Sequence, residues 1–242
     1  MSSAPNAPAA AGPRVILRHS ALVRVCHWIN ALCFFALLMS GLQIFNAHPM
    51  LNWGGATDFD KPFLSLAPRG FPAWATLPEA QDLAAGRRWH FFFAWALVLN
   101  GAVYVVNLVA RRHILDFLPG ARELRSIPRA VWDHARLKFP KGDEALHYNV
   151  LQKLAYLSAI AALPILVLAG LTMSPAIDAA FPWLVSLFGG RQSARTIHFF
   201  LATFLVGFVA VHLAMVLVSG LANNMISMIT GRYRIEEESH EA

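Results

Sequence analysis

Charge is what this sequence has least of. Of 242 residues only 14% are Asp, Glu, Lys or Arg, against about a quarter in ordinary soluble domains. Hydrophobic residues make up 57% and the mean hydropathy is +0.48. A soluble fold of this size has too little interior to hide that much apolar surface. An ordinary cytosolic enzyme and a disordered chain are both excluded. Cysteine is scarce too: Cys26 and Cys33 are the full set. Seven residues apart on a helix, they lie about 10 Å apart along its axis and cannot bridge. No disulfide framework exists, and both read as small packing residues. No C-x-x-C-H attachment motif occurs, because Cys26-His27 lacks the first cysteine.

What is present is four long stretches without charge: residues 25–57, 89–110, 154–177 and 196–231. A span needs about 20 residues to cross a ~30 Å hydrocarbon core, and backbone in lipid must satisfy its own hydrogen bonds. Each stretch therefore predicts a membrane helix, the first ending near Asn46. Pro164 predicts a kink in the third and Pro175 its end. The fold class expected is all-α, a transmembrane four-helix bundle spanning residues 14–232. An Ala/Pro/Ser-rich disordered tail (1–13) precedes it and a short cytoplasmic tail (233–242) follows.

Positive charge orients such a bundle. The net charge is +6, and its distribution is uneven. Arg14, Arg18, Arg24, Lys153, Arg232, Arg234 and eight basic residues between 111 and 141 share one side, fourteen in all. The other side has Lys61, Arg69, Arg87, Arg88, Arg191 and Arg195, six in all. Both termini are expected in the cytoplasm, with a bacterial inner membrane as the setting. The outer connection, residues 46–87, carries five prolines. It is long for a bare loop and is expected to pack or to dock something. Residues 175–189 read as an interfacial segment. Residues 114–139, alternating basic and apolar, read as an amphipathic helix on the inner leaflet.

Ten histidines occur, and four fall in or at the ends of spans: His27, His90, His198 and His212. Ionisable groups there are costly and mark function. His198 and His212 are fourteen residues apart. On a helix that is about 40° short of four turns and about 21 Å along the axis. They share a face and sit toward opposite leaflets. His90 lies at the outer end of its span, with His198, and His27 at the inner end, with His212. Two bis-histidine sites at two depths suit two non-covalent haem b groups, because neutral imidazole binds iron from each face of the macrocycle. Arg24, Arg88 and Arg195 lie within a turn of three of these histidines, placed to neutralise propionates. Gly41 and Gly170 could let a macrocycle approach the backbone. A metal transporter is the weaker reading, since no Asp or Glu lies inside any span.

The motifs Arg24-Val-Cys-His27-Trp28, Arg88-Trp-His90-Phe91 and Arg195-Thr-Ile-His198-Phe199, with the step to His212, resemble the bacterial cytochrome b561 / nickel-hydrogenase b-type cytochrome family. That family includes formate dehydrogenase gamma subunits and thiosulfate-reductase-like cytochromes b. The resemblance covers residues 14–232. It implies a di-haem cytochrome b that joins an outside redox subunit, a molybdopterin or iron–sulfur protein, to quinone. The pairing it implies is His90/His198 and His27/His212. The segment from His147 to Lys153 resembles the family's stretch at the start of helix three. There Asn149 takes the place of a quinone-site asparagine, beside His147 and Lys153, although Leu151 stands where formate dehydrogenase has glycine. The first loop, with His48-Pro49 and Trp53-Gly54-Gly55, looks most like members that serve periplasmic molybdopterin oxidoreductases. Two rivals accompany this expectation. One is an autonomous cytochrome that oxidises a small diffusible reductant such as superoxide. The other is a haem-free anchor or transporter.

Overall fold

A computed structural model describes residues 14–67, 69–79, 81–111, 118–136 and 149–235. The expected tail 1–13 lies outside them. Four helices are long and apolar enough to cross a membrane: α1 (Ala21–Asn46), α2 (Leu83–Ala110), α5 (Val150–Leu171) and α8 (Arg191–Val218). Between α2 and α5 come α3 (Ala121–Arg125) and α4 (Ile127–Ala135). Between α5 and α8 come α6 (Pro175–Ala180) and α7 (Pro182–Leu187), each opened by a proline. That position suits proline, whose missing N–H has no helical partner there. Helix α9 (Leu221–Thr230) follows α8.

The bundle is built as two pairs. α1 packs along α2, and α5 along α8. The α1–α2 seam is lined by small and polar residues at helical spacing: Cys26, Cys33, Ala36, Ser40 and Gln43 are buried. Gly86 admits Gln43, since a Cβ at 86 would lie 2.8 Å from the Gln43 Cγ. Asn100 Nδ2 donates to the Cys26 carbonyl at 2.9 Å and to Asn30 Oδ1 at 2.7 Å. Without water to compete, close backbone approach and interhelical hydrogen bonds hold such a seam.

Several element boundaries differ from expectation. α2 starts six residues before Trp89, because Asp82 caps it by accepting from Ala85 N at 3.0 Å. The fourth stretch is broken. Gly220 takes φ +106°, a conformation that favours glycine, and divides α8 from α9. α5 runs through Pro164 to Leu171, so Pro175 opens α6 instead of closing α5. The basic stretch 114–139 holds α3 and α4 in its described part. Lys153 Nζ reaches Glu123 of α3 at 2.8 Å and ties α3 to α5. This pair holds the Glu123 carboxyl below the ordinary carboxylate range, mainly through the Lys153 hydrogen bond. The tie therefore persists at neutral pH and loosens only as pH falls through the lowered value.

Two short ladders complete the fold. β1 (Arg14–Leu17) pairs antiparallel with β4 (Arg232–Ile235). The two chain flanks thus meet at one end of the bundle, and the folded unit extends to Ile235. β2 (Met50–Leu51) pairs with β3 (Leu64–Ser65) inside the first loop. That loop is folded onto the start of α8. The Gly54 carbonyl accepts from Gln192 N (3.0 Å) and Ser193 N (3.2 Å), so loop backbone caps the helix. Ser193 Oγ accepts from Gly54 N at 2.7 Å, and Thr196 Oγ1 donates to the Asn52 carbonyl at 2.6 Å. Leu51 is fully buried.

Candidate functional site

The four histidines meet in two pairs across the space between the helix pairs. His90 lies seven residues past the start of α2 (83 to 90), and His198 seven past the start of α8 (191 to 198). His27 lies six past the start of α1, and His212 six before the end of α8. Equal offsets put each pair at one depth. The ring centroids of His90 and His198 are 6.2 Å apart, and those of His27 and His212 6.3 Å.

These distances are informative. Centroid separations of this size leave room for one metal between two rings, with a metal–imidazole bond of about 2.0–2.1 Å to each. Among the described residues no group of three or more His, Cys, Asp or Glu could hold a bare metal ion. Two facing imidazoles would suit a metal whose remaining ligands come from a macrocycle.

The outer rings are fixed by the backbone. His198 Nδ1 donates to the Leu166 carbonyl at 2.8 Å. His90 Nδ1 lies 3.1 Å from Ser40 Oγ, whose own hydroxyl donates to the Ala36 carbonyl at 2.7 Å. The Leu37 carbonyl is a second acceptor for His90. With Nδ1 carrying the proton, Nε2 is left as the unprotonated nitrogen of each ring. Each of these carbonyls lies one turn before a glycine, Leu37 before Gly41 and Leu166 before Gly170. A Cβ at Gly170 would come 3.1 Å from His198 Cε1, and one at Gly41 3.5 Å from His90 Cε1. Gly170 thus makes room for an imidazole, whereas at Gly41 a Cβ would only be in ordinary contact with one. Sequence reasoning missed Ser40 and the two carbonyls, because the acceptors are backbone atoms present in any helix.

The inner pair is held differently. His212 stacks on Phe208 at 6.3 Å with an 8° interplanar angle, and His27 packs edge-on to Trp28 at 5.3 Å. His27 Nδ1 is buried without a hydrogen-bond partner.

The three expected arginines fall in different settings. Arg24 Nη1 donates to the Ile229 carbonyl, while its Nε is buried and unpartnered. Arg195 donates to the His48 carbonyl and lies 5.9 Å from the Phe45 ring centroid. Arg88 is exposed and, with Ala84, Arg87 and Phe91, lines a hollow of about 320 Å³. His48, whose ionisation is depressed by burial and by Arg195, belongs to the loop over the outer pair. At the other end Asn149 caps α5, accepting from Gln152 N at 2.9 Å, while Gln152 Oε1 accepts from Asn149 N at 3.1 Å. Lys153 is paired with Glu123. His147 lies outside the described residues.

Residues 18–231 match the family described as prokaryotic cytochrome b561. The chain belongs to that family. It is accordingly a multi-pass bacterial membrane protein, a haem b-binding subunit that carries electrons. It is also similar to a protein of Azospira oryzae (strain ATCC BAA-33 / DSM 13638 / PS) named "Putative protein-methionine-sulfoxide reductase subunit YedZ1". The two are 34% identical over 214 residues, which cover 88% of this chain and 96% of the relative. For a b561 cytochrome the depth-matched histidines are the natural place to look for the haem.

Proposed function

We propose that this cytochrome b561 holds two haems b, one between His90 and His198 and one between His27 and His212. It passes electrons between a periplasmic oxidoreductase, of molybdopterin type, and the membrane quinone pool. The observation that carries this reading is the pair of imidazole gaps, 6.2 and 6.3 Å, each sized for one metal between two rings. When bound, each haem would supply a one-electron carrier. The chain's own residues do the rest. The Leu166 carbonyl keeps the His198 proton on Nδ1, and Ser40 with Leu37 does so for His90. Arg24, with a buried Nε lacking an acceptor, fits a propionate at the inner level. Arg195 and Arg88 serve the outer level. The first loop, clamped to α8, shields the outer pair from water. A reductase subunit among the relatives supports a catalytic partner outside.

The purified protein should contain about two haems per chain, with a low-spin reduced spectrum. A single haem, or none, would sink the two-site reading. The orientation that puts quinone at the inner pair follows the basic side of the bundle. A reporter fused after Ala242 is expected to work in the cytoplasm alone, and one inserted at Gly55 outside alone. The reverse pattern would move the quinone to the other face.

The proposed quinone site is at the start of α5, with Asn149 as amide donor and with His147 and Lys153 near it in the sequence. Asn149 also caps α5, and losing a cap costs about 1 kcal/mol. Two variants separate the roles. Asn149→Ser can still cap but has no amide. Asn149→Ala has neither. Both should keep both haems yet slow reoxidation by quinone in stopped-flow absorbance. A Ser variant as fast as the parent, beside an Ala variant with only a lower Tm, would leave Asn149 as a cap.

A further inference from the structure

The β1–β4 ribbon has one face packed and one face bare. In an antiparallel pair, residues directly opposite share a face, and successive residues alternate. The register Arg14↔Ile235, Val15↔Arg234, Ile16↔Tyr233, Leu17↔Arg232 therefore sorts the side chains. Arg14, Ile16, Tyr233 and Ile235 share the face on the protein side, where Arg14 at the ribbon's end is exposed. Ile235 is buried, and the Arg18 guanidinium sits 4.4 Å from the Tyr233 ring centroid. Val15, Leu17, Arg232 and Arg234 form the outer face. Val15 is 56% exposed and Leu17 74%, and both arginines are exposed. Among the described residues, the face holds two bare aliphatic side chains and two guanidinium groups, and no acid.

Its location narrows what covers it. The ribbon continues from α9 through Gly231, whose N–H is bonded to the Ser227 carbonyl at 2.9 Å. The end of α9 is pinned to the first turns of α1, by Arg24 to the Ile229 carbonyl and by Trp28 Nε1 to the Met228 carbonyl at 3.0 Å. Asn223 holds β4 to α9, accepting from Arg234 N at 3.0 Å and donating to the Arg234 carbonyl at 2.8 Å. α9 itself turns Ser227 inward and leaves Leu221, Ile226 and Ile229 bare. An apolar outside with a polar inside is the arrangement for lipid contact. The ribbon therefore lies where a membrane helix enters the bilayer.

We propose that the outer face of the ribbon docks on anionic phospholipid headgroups, with Val15 and Leu17 in the acyl boundary and Arg232 and Arg234 on phosphates. Guanidinium matches phosphate geometry in a bidentate fashion, and aliphatic side chains between cations suit the headgroup region. The four residues are preset by the ladder, so no ordering is needed on contact. This role is independent of the haem sites.

Spin labels test it. Labels on Val15→Cys and Leu17→Cys are placed in full-length protein in nanodiscs of phosphatidylcholine with one-quarter phosphatidylglycerol. The chain without an added cysteine is the blank, since Cys26 and Cys33 are buried. Both labels should be reached by oxygen and screened from a water-soluble nickel chelate. Chelate access at residue 17 should rise several-fold in pure phosphatidylcholine, and in the double variant Arg232→Gln/Arg234→Gln. Labels open to the chelate with phosphatidylglycerol and both arginines present would overturn the proposal. So would equal screening in all three samples, which would mean apolar insertion without headgroup recognition. Screening seen in native membranes and absent from the discs would assign the face to a protein partner instead.

Discussion

Replacing His198 with alanine is expected to remove the outer haem and leave the inner one, and His212→Ala to do the reverse. Each replacement takes one of the two proposed ligands from one site and touches neither histidine of the other. The two levels are separated by fourteen residues of α8, about 21 Å along its axis. The haem-to-protein ratio should fall by about half in each variant, and the reduced spectrum should lose one component. The alternative is a polar helix contact. In that case either change would leave haem content alone. Retention of the full complement in either variant, or loss of both haems from a single one, would break the depth pairing.

The second large effect is expected from one methyl group. Gly170→Ala puts a Cβ 3.1 Å from His198 Cε1 and 3.3 Å from its Nδ1. The ring cannot yield freely, because Nδ1 is bonded to the Leu166 carbonyl on the same turn of α5. Overpacking of this kind costs about 1–3 kcal/mol, and it acts directly on a proposed ligand. The outer haem should bind weakly or be lost, with the inner one retained. Gly41→Ala is the control. Its Cβ would meet His90 at 3.5 Å and 3.8 Å, ordinary van der Waals contact, so haem content should stay near that of the parent. Equal behaviour of the two variants would remove the steric argument.

How much of this was legible in the sequence depended on the range of the interaction. The four spans were readable because length and the absence of charge are local properties. Their ends were less so. The break at Gly220 is hidden inside an unbroken apolar run, and the early start of α2 depends on one hydrogen bond from Asp82. The pairing of histidines by depth could be worked out because helical rise converts residue count into distance. The β1–β4 ribbon had no such signal. Four residues near each end of the chain form strands through one another, and neither segment announces its partner. The first loop was marked as something that packs or docks, and it packs: Gly190, at φ +109°, lies so close to Gly54 that a Cβ would fall 2.5 Å from the Gly54 carbonyl. The Lys153–Glu123 tie joins residues on α5 and α3, and spacing alone gave no reason to match them.

Helix α8 supplies one histidine to each pair, while the other two come from α1 and α2. During synthesis the chain inserts from its N-terminus, so His27 and His90 enter the bilayer long before either has an opposite number. The outer gap cannot exist until the ribosome has passed His198, nor the inner one until it has passed His212. Any iron porphyrin captured earlier would be held from one side only. Completion of both gaps is thus deferred to the last of the four long helices, and an interrupted chain that stops short of α8 is left with neither.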